Sequence, residues 1–139
     1  MDIIYNSAKA KILGGLIDFD TDTIKVLLVT SSYTPDQDAH DFLDDITNEV
    51  TGTGYTAGGK TISSIVITQD NTDNEGVVDG DDVLWTTATV TARGAVIYKS
   101  TGVAATSPLI AYIDFGSDKA SNAGDFTISW NAEGILNLN

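Results

Sequence analysis

The stretch from Val83 to Phe115, VLWTTATVTARGAVIYKSTGVAATSPLIAYIDF, decides the fold of this chain. Small or apolar residues occupy every second position between Thr89 and Ser100, which is the period of a β-strand. A turn-forming segment at 101–108 (TGVAATSP) then leads into the apolar run Leu109–Phe115. The two runs predict an antiparallel β-hairpin.

Strand patterns also occur on both sides of this hairpin. The strongest is Thr23–Thr30 (TIKVLLVT), whose two faces are both largely apolar, as in a strand buried on both sides. Further strands are predicted at Thr61–Gln69, Val83–Thr87, Phe126–Trp130 and Gly134–Asn139, with a Gly/Ser/Asn loop at 116–125. We therefore predict one mainly β domain over residues 1–139, built as an antiparallel β-sandwich or a small barrel, with its β-core from about residue 22 onward.

One segment has a helical period instead. Residues 4–17 (IYNSAKAKILGGLI) carry Ile4, Ala8, Ile12 and Leu16 at spacings of four, which places them on one face of an N-terminal α-helix. Residues 39–46 (AHDFLDDI) suggest a second, short helix.

The net charge of −13 limits the partners of the protein. Its seven basic residues are scattered, so there is no basic surface for nucleic acid, which is bound through Lys and Arg. No apolar run approaches the roughly 20 residues that span a bilayer, so we expect no membrane insertion. The N-terminal residues do not read as a signal peptide, and synthesis in the cytoplasm is expected.

Twelve of the twenty acidic residues lie in two short stretches, Asp36–Glu49 and Asp70–Asp82. The second has the oxygen-ligand spacing of a calcium-binding EF-hand loop, with Gly76 at the sixth position. Its candidate calcium ligands are Asn71, Asp73, Glu75, Asp79 and Asp82. The loop departs from that pattern by starting with Asn and by lying between strands, so an acidic turn without metal is the alternative.

The sequence gives little support for catalysis. His40 is the sole histidine, there is no cysteine, and no G-x-S-x-G nucleophile pattern occurs. We read His40 as a solvated loop residue and predict that the protein is not an enzyme and needs no cofactor. Glycosidases use a pair of carboxylates, but in so acidic a chain the presence of such pairs does not indicate an active site.

Four aromatic residues are candidates for contact with a partner. Trp85 and Trp130 alternate with polar neighbours along predicted strands, which favours packing within the sheets. Tyr33 and Tyr55 fall in predicted loops, and we predict that they are interface residues, because tyrosine is common at the centre of protein interfaces.

The order of the segments resembles a family of small virion structural proteins of tailed bacteriophages, similar to capsid decoration (cement) proteins. The resemblance covers nearly the whole chain, and its most characteristic parts are Thr23–Val29, Lys60–Ile62, Asp79–Trp85 and Tyr98–Asp114. A longer loop at Thr68–Val78 departs from the family. The resemblance implies a β-rich virion component and brings no catalytic residues with it.

This resemblance implies a protein on the outer surface of a phage capsid that stabilises contacts between major capsid proteins. High acidity fits an outward position better than one facing packaged DNA. Self-association into a dimer or trimer through edge strands is compatible with the pattern. The alternative is a receptor- or carbohydrate-binding module of a tail or fibre, and an enzyme acting on cell-wall glycan is a third reading.

Overall fold

The computed structural model describes residues 2–139 and has the predicted fold class. Within those residues, two antiparallel β-sheets account for most of the regular structure, together with one α-helix and two single 3-10 turns. The strands are β1 (Ile3–Ile4), β2 (Ile24–Val29), β3 (Lys60–Thr61), β4 (Val66–Asp70), β5 (Glu75–Asp79), β6 (Val83–Lys99), β7 (Leu109–Ile128) and β8 (Leu136–Leu138). The larger sheet has the order β1-β7-β6-β2-β3, and the smaller has the order β4-β5-β8.

The β6–β7 hairpin is the largest unit and confirms the central prediction. Its pairing runs from Tyr98↔Leu109 beside the turn to Val83↔Ile128 at the open end. The predicted loop at 116–125 is wrong, because this segment stays paired with β6 as part of β7. Its Gly, Ser and Asn residues are mostly exposed, so their polarity reflects contact with water rather than a reversal of the chain.

Strand β2 is buried on both sides, as its sequence predicts. It pairs with β6 from Ile24↔Lys99 to Val29↔Gly94, and five of its six residues are buried. One hydrophobic cluster includes residues of β2, β6 and β7 together with Val78 of the smaller sheet. The two sheets therefore share a core.

The N-terminal helix, α1, spans Asn6–Leu13 and is shorter than predicted at both ends. Ile4 lies in β1, where backbone pairing with Ala111 of β7 replaces the first helical turn. The helix ends at Gly14, and Leu16 is 64% exposed instead of facing the core. Ala8 alone of the predicted face is fully buried.

The second predicted helix is reduced to a single 3-10 turn at Leu43–Asp45. The Asp45 carboxylate accepts hydrogen bonds from the backbone N–H groups of Asp41 and Phe42, at 2.8 and 3.2 Å. Such side-chain bonds compete with the helical backbone pattern, which is why Asp favours turns and caps.

The predicted strand Thr61–Gln69 is two strands in two different sheets. Its first part, β3, pairs with β2, whereas β4 pairs with β5. Ser64 separates them with a left-handed backbone (φ 55°), which redirects the chain after the buried Ile62. Periodicity alone does not reveal this change of sheet, because both halves have strand-like composition.

Candidate functional site

A concave surface of about 860 Å³ runs along β7 and is lined by both apolar and polar residues. Its floor comes from β7, one end from β1, and the opposite wall from the C-terminal segment that contains β8. The apolar side chains that line it are Ile3, Ile4, Ile113, Phe115, Phe126, Ile128, Trp130, Ile135 and Leu136. We call this surface the β7 groove.

The groove lies beside an edge of the larger sheet. Among residues 2–139, β1 is the strand that pairs with the outer side of β7, through Tyr112 and Ala111. Beside this pairing, the backbone N–H of Asp114 donates to the Asp2 carboxylate and that of Gly116 donates to the Asp114 carboxylate, both at 2.8 Å, so part of this edge is already bonded.

Curvature of the hairpin gives the groove its concave shape. The rings of Phe115 and Phe126 lie 6.4 Å apart between centroids, although eleven positions separate them on one strand. In a straight strand they would be roughly 36 Å apart. Bulges in the β6–β7 pairing and the left-handed residues Thr87, Gly116 and Ala123 bend the strands between these rings.

Backbone contacts fix the opposite wall. The N–H of Ile135 donates to the carbonyl of Val78 at 2.8 Å, which attaches the C-terminal segment to the smaller sheet. The indole N–H of Trp130 donates to the carbonyl of Asp81 at 2.8 Å and holds its ring at the end of β7. Gly134, at φ 87°, packs against Val78 so closely that a Cβ there would collide with it.

Only three charged residues line the β7 groove, namely Asp2, Lys119 and Asp125. The Asp2 carboxylate accepts the backbone N–H of Asp114 at 2.8 Å, which fixes one end of the groove. These groups form no nucleophile–base pair of the kind that covalent catalysis requires. The lining of the groove therefore combines apolar side chains with polar and charged ones.

A smaller cavity of about 360 Å³ lies between the N-terminal region and the 31–37 loop. Arg93 and Asp114 line it and form an ion pair at 2.7 Å. The Arg93 guanidinium and the backbone N–H of Gly116 hold the pKa of the Asp114 carboxyl well below its usual range. The rings of Tyr33 and Tyr112 meet edge to face beside this pair, 5.8 Å apart.

Tyr33 is buried and Tyr55 is half-buried, so the expected exposure of Tyr33 is wrong, while a role of the two residues at an interface stays a prediction. Tyr33 is only 5% exposed, and its hydroxyl is 2.8 Å from that of Tyr5. The Tyr55 hydroxyl lies in the protein, accepting the N–H of Leu28 at 2.9 Å and donating to the Glu49 carboxylate at 2.8 Å. Each tyrosine anchors its loop to the core. The sequence pattern of a loop does not show whether a tyrosine in it points inward or outward.

His40 lies in a loop as predicted, and its side chain is half-buried, so it is only partly solvated. Its Nδ1 atom is 2.9 Å from the Tyr33 hydroxyl, and the two rings stack at 5.8 Å. Tyr5, Tyr33 and His40 thus form one hydrogen-bonded chain that ties α1 to the 33–40 loop. Burial raises the pKa of both tyrosine hydroxyls, so they remain neutral hydrogen-bonding groups at ordinary pH.

The two tryptophans pack as predicted. Trp85 is 1% exposed and contacts the rings of Tyr55 and Phe126, at 5.8 and 6.2 Å. Its indole N–H finds no hydrogen-bond partner among residues 2–139. Trp130 is half-buried and packs against the edge of the core.

The carboxylates of the first acidic stretch mainly organise the backbone. Asp36 accepts the N–H groups of Asp38 and Ala39, both at 3.0 Å, and these bonds lower its pKa. The bond from the N–H of Asp41 lowers the pKa of Asp45. Glu49 accepts the N–H of Gly58 at 2.6 Å, in addition to the Tyr55 hydroxyl.

The second acidic stretch is a β-hairpin and not a single loop. Asn71 and Asp73 lie in its turn, and Glu75 and Asp79 stand at opposite ends of β5, roughly 13 Å apart along the strand. Glu75 is bound by the Asn137 amide at 2.8 Å, and Asp82 accepts the backbone N–H of Trp130 at 3.1 Å. Among residues 2–139, no three or more His, Cys, Asp or Glu side chains are grouped to hold a metal ion. The structure does not bring the five residues together, and calcium binding stays a prediction.

Sequence reasoning missed the residues of the β7 groove. Alternation within Ile113–Phe115 and Phe126–Trp130 shows which residues share a face of the strand. It does not show that the strand bends and brings both segments to one surface.

Comparison with protein families, characterised proteins and solved structures finds no match to this chain. No helix within residues 2–139 is long and apolar enough to cross a membrane.

Proposed function

We propose that this chain is a structural protein of a tailed-phage virion that binds the outer surface of the capsid and stabilises contacts between major capsid proteins. It acts by binding and not by catalysis. The observation that carries the proposal is the β7 groove, because an exposed concave surface that presents many apolar side chains suits the docking of another protein.

The resemblance to phage virion proteins supports a place in the virion, and the net charge supports a position on the outer face of the capsid. With a net charge of −13, the protein would be repelled by packaged DNA and favoured on the outside of a shell. Many copies on a symmetric shell would combine modest individual contacts into a large stabilisation. Dimers or trimers of the chain are compatible with this arrangement.

A receptor- or carbohydrate-binding module of a tail or fibre is the second candidate. It is favoured by the smaller cavity, where the rings of Tyr33 and Tyr112 stand beside the ionic Arg93–Asp114 pair. Aromatic surfaces with a few directed polar groups are typical of sites for small ligands.

Copy number and location in the virion separate these functions. Electron microscopy of virions carrying a labelled form of the protein should show density over the whole capsid, in hundreds of copies. Density restricted to the tail, in a handful of copies, would favour the binding module. Absence from purified virions would reject both readings.

A further inference from the structure

We infer that two copies of this chain associate by pairing their β4 strands (Val66–Asp70) edge to edge, antiparallel, about a two-fold axis at Thr68. The inference goes beyond the proposed function by identifying a contact between copies, and the use of that contact to link neighbouring copies on a capsid rests on the proposed function.

The first argument is the free edge of the smaller sheet. Among residues 2–139, β4 pairs with β5 on one side and with no strand on the other, and its backbone makes no hydrogen bond outside the β4–β5 hairpin. The pairing with β5 has no register shift, and the left-handed residues Ser64 and Asn74 lie outside the strand. This regular edge presents a row of N–H and C=O groups to which another strand can bond.

The second argument is that β4 lacks the protection of the other terminal strands. In the described chain, β1 and β3 are two residues long, β3 begins with Lys60, and β8 has three residues. Short edges and edge lysines are the means by which natural sheets prevent pairing with other chains. The five residues of β4, VITQD, include neither lysine nor proline. Its edge is therefore open to pairing.

The third argument is the exposure of apolar side chains on both faces of β4. Val66 is 53% exposed and Ile67 is 54% exposed. Because neighbouring residues of a strand point to opposite faces, one apolar side chain stands exposed on each face. β-branched side chains gain stability when a cross-strand neighbour packs against them. A further strand at this edge would give both residues such a neighbour.

The sequence of β4 suits pairing with a second copy of itself. With the axis at Thr68, the two Thr68 residues face each other, Ile67 faces Gln69 of the other copy, and Val66 faces Asp70 of the other copy. All five residues are then paired, and the contact is closed because each copy uses the same surface. Facing threonines are a favourable cross-strand pair.

Charge allows this pairing although each copy is acidic. Asp70 is the single charged residue of β4, so the strand has no feature that selects a basic partner. In the antiparallel pair the two Asp70 residues stand at opposite ends, roughly 14 Å apart, which exceeds the Debye length of about 8–10 Å. The net charge of −13 on each copy still opposes the approach, so added salt should strengthen the association.

The contact is small. A pair of five-residue strands buries less than the roughly 1,600 Å² of a standard stable interface, so we expect exchange between monomer and dimer in free solution. Copies that a shell holds side by side would pair more fully, because their effective concentration is higher.

Disulfide trapping tests the pairing with the intact chain. The chain has no cysteine, so a single introduced thiol reports the contact without background. Thr68→Cys places two thiols across the axis, where facing Cα atoms lie about 4.5–5.5 Å apart and a disulfide can form. Thr72→Cys, at an exposed threonine in the β4–β5 turn, is the control, because its two copies would lie beyond the reach of a disulfide. Under mild oxidation, we expect Thr68→Cys to dimerise at least about tenfold faster than Thr72→Cys.

A second substitution in the Thr68→Cys chain locates the contact. Ile67→Lys places a lysine on the edge and should slow disulfide formation to the rate of Thr72→Cys. Val103→Lys makes the same change of charge at an apolar residue 58% exposed in the 101–108 turn, and should leave the rate of Thr68→Cys unchanged. Reaction of each free thiol with a soluble disulfide reagent corrects for differences in thiol reactivity.

Equal rates for Thr68→Cys and Thr72→Cys, or disulfide formation that Ile67→Lys leaves intact, would overturn the inference. Amide chemical shifts of the wild-type chain give an independent check, since those of β4 should change between about 0.05 and 1 mM protein. Shifts that change only elsewhere would also overturn it. These results are separate from the location of the protein in the virion. Capsid density without trapping rejects the β4 contact alone, and trapping without capsid density rejects the capsid function alone.

Discussion

Phe115 and Phe126 lie on the same β-strand, eleven positions apart, and yet their ring centroids are 6.4 Å from each other. Trp85 contacts Phe126 at 6.2 Å and joins this aromatic group to the core. The bend between the two phenylalanines makes the β7 groove concave, since it brings two apolar segments of one strand onto a single surface. The bend of β7 therefore shapes both the central hairpin and the proposed binding surface.

Gly59→Ala should destabilise the protein much more than Gly102→Ala. Both glycines have left-handed backbones, at φ 70° and 84°. A Cβ at Gly59 would also collide with the backbone carbonyl of Val26, whereas the space around Gly102 is open. We expect a loss of at least about 3 kcal/mol for Gly59→Ala and about 1–2 kcal/mol for Gly102→Ala. Urea unfolding of the two variants measures both, and equal losses would contradict the close approach to β2.

Tyr33→Phe should cost more stability than Tyr5→Phe. The Tyr33 hydroxyl bonds both Tyr5 and His40, so its removal leaves the fully buried Tyr5 hydroxyl without that partner. We expect a loss of about 2–3 kcal/mol for Tyr33→Phe and about 1 kcal/mol for Tyr5→Phe. The double variant should lose less than the sum, because both changes remove the same bond. Additive losses in urea unfolding would show that the hydroxyls act independently.

The native protein should resist ionisation of its tyrosines at high pH. Burial raises the pKa of all five tyrosine hydroxyls, and that of Tyr98 to about 12. Because unfolded tyrosine ionises near pH 10, folding stability should be fully present below that pH and be lost as the pH rises further. Tyrosinate absorbance should thus appear together with loss of the native circular dichroism spectrum. Titration of most tyrosines near pH 10 in folded protein would contradict the burial described here.

Asp114→Asn should reduce the acid sensitivity of the fold. The Arg93 ion pair lowers the pKa of Asp114 in the folded state, so its contribution to stability is present above the pKa of an unfolded Asp, about 3.9, and is lost as the pH falls below it. The difference in urea midpoint between wild type and variant should therefore shrink between about pH 7 and pH 2. Asp73→Asn, in an exposed turn, serves as the control and should show no such convergence.

Millimolar calcium should leave the thermal unfolding temperature unchanged. Glu75 already binds the Asn137 amide, and Asp79 stands at the other end of β5. A ligand that binds the folded state raises the unfolding temperature, so differential scanning calorimetry with and without calcium tests the point. An upward shift that Asp73→Asn abolishes would establish the calcium site that the sequence spacing suggests.

Local sequence patterns determined much of the fold. The alternation within Thr89–Ser100 and the apolar run Leu109–Phe115 predicted the central hairpin, and the composition of Thr23–Thr30 predicted a doubly buried strand. These features depend on the period of side chains along a strand and on which faces are apolar. Both properties are local, so the sequence alone carries them.

Tertiary structure decided where those strands turn and what they face. At Ser64 the chain changes direction, so that one predicted strand becomes two strands in different sheets. Ile4 lies in β1 and not in the predicted helix, because it pairs with Ala111 of β7. Tyr33, Tyr55 and His40 point inward because distant residues supply their hydrogen-bond partners. The β7 groove likewise depends on bulges that bend the central hairpin and on a C-terminal segment that returns to face it. These contacts join residues far apart along the chain, so local sequence determined which segments are strand-like, while long-range packing decided how the strands bend and created the proposed binding surface.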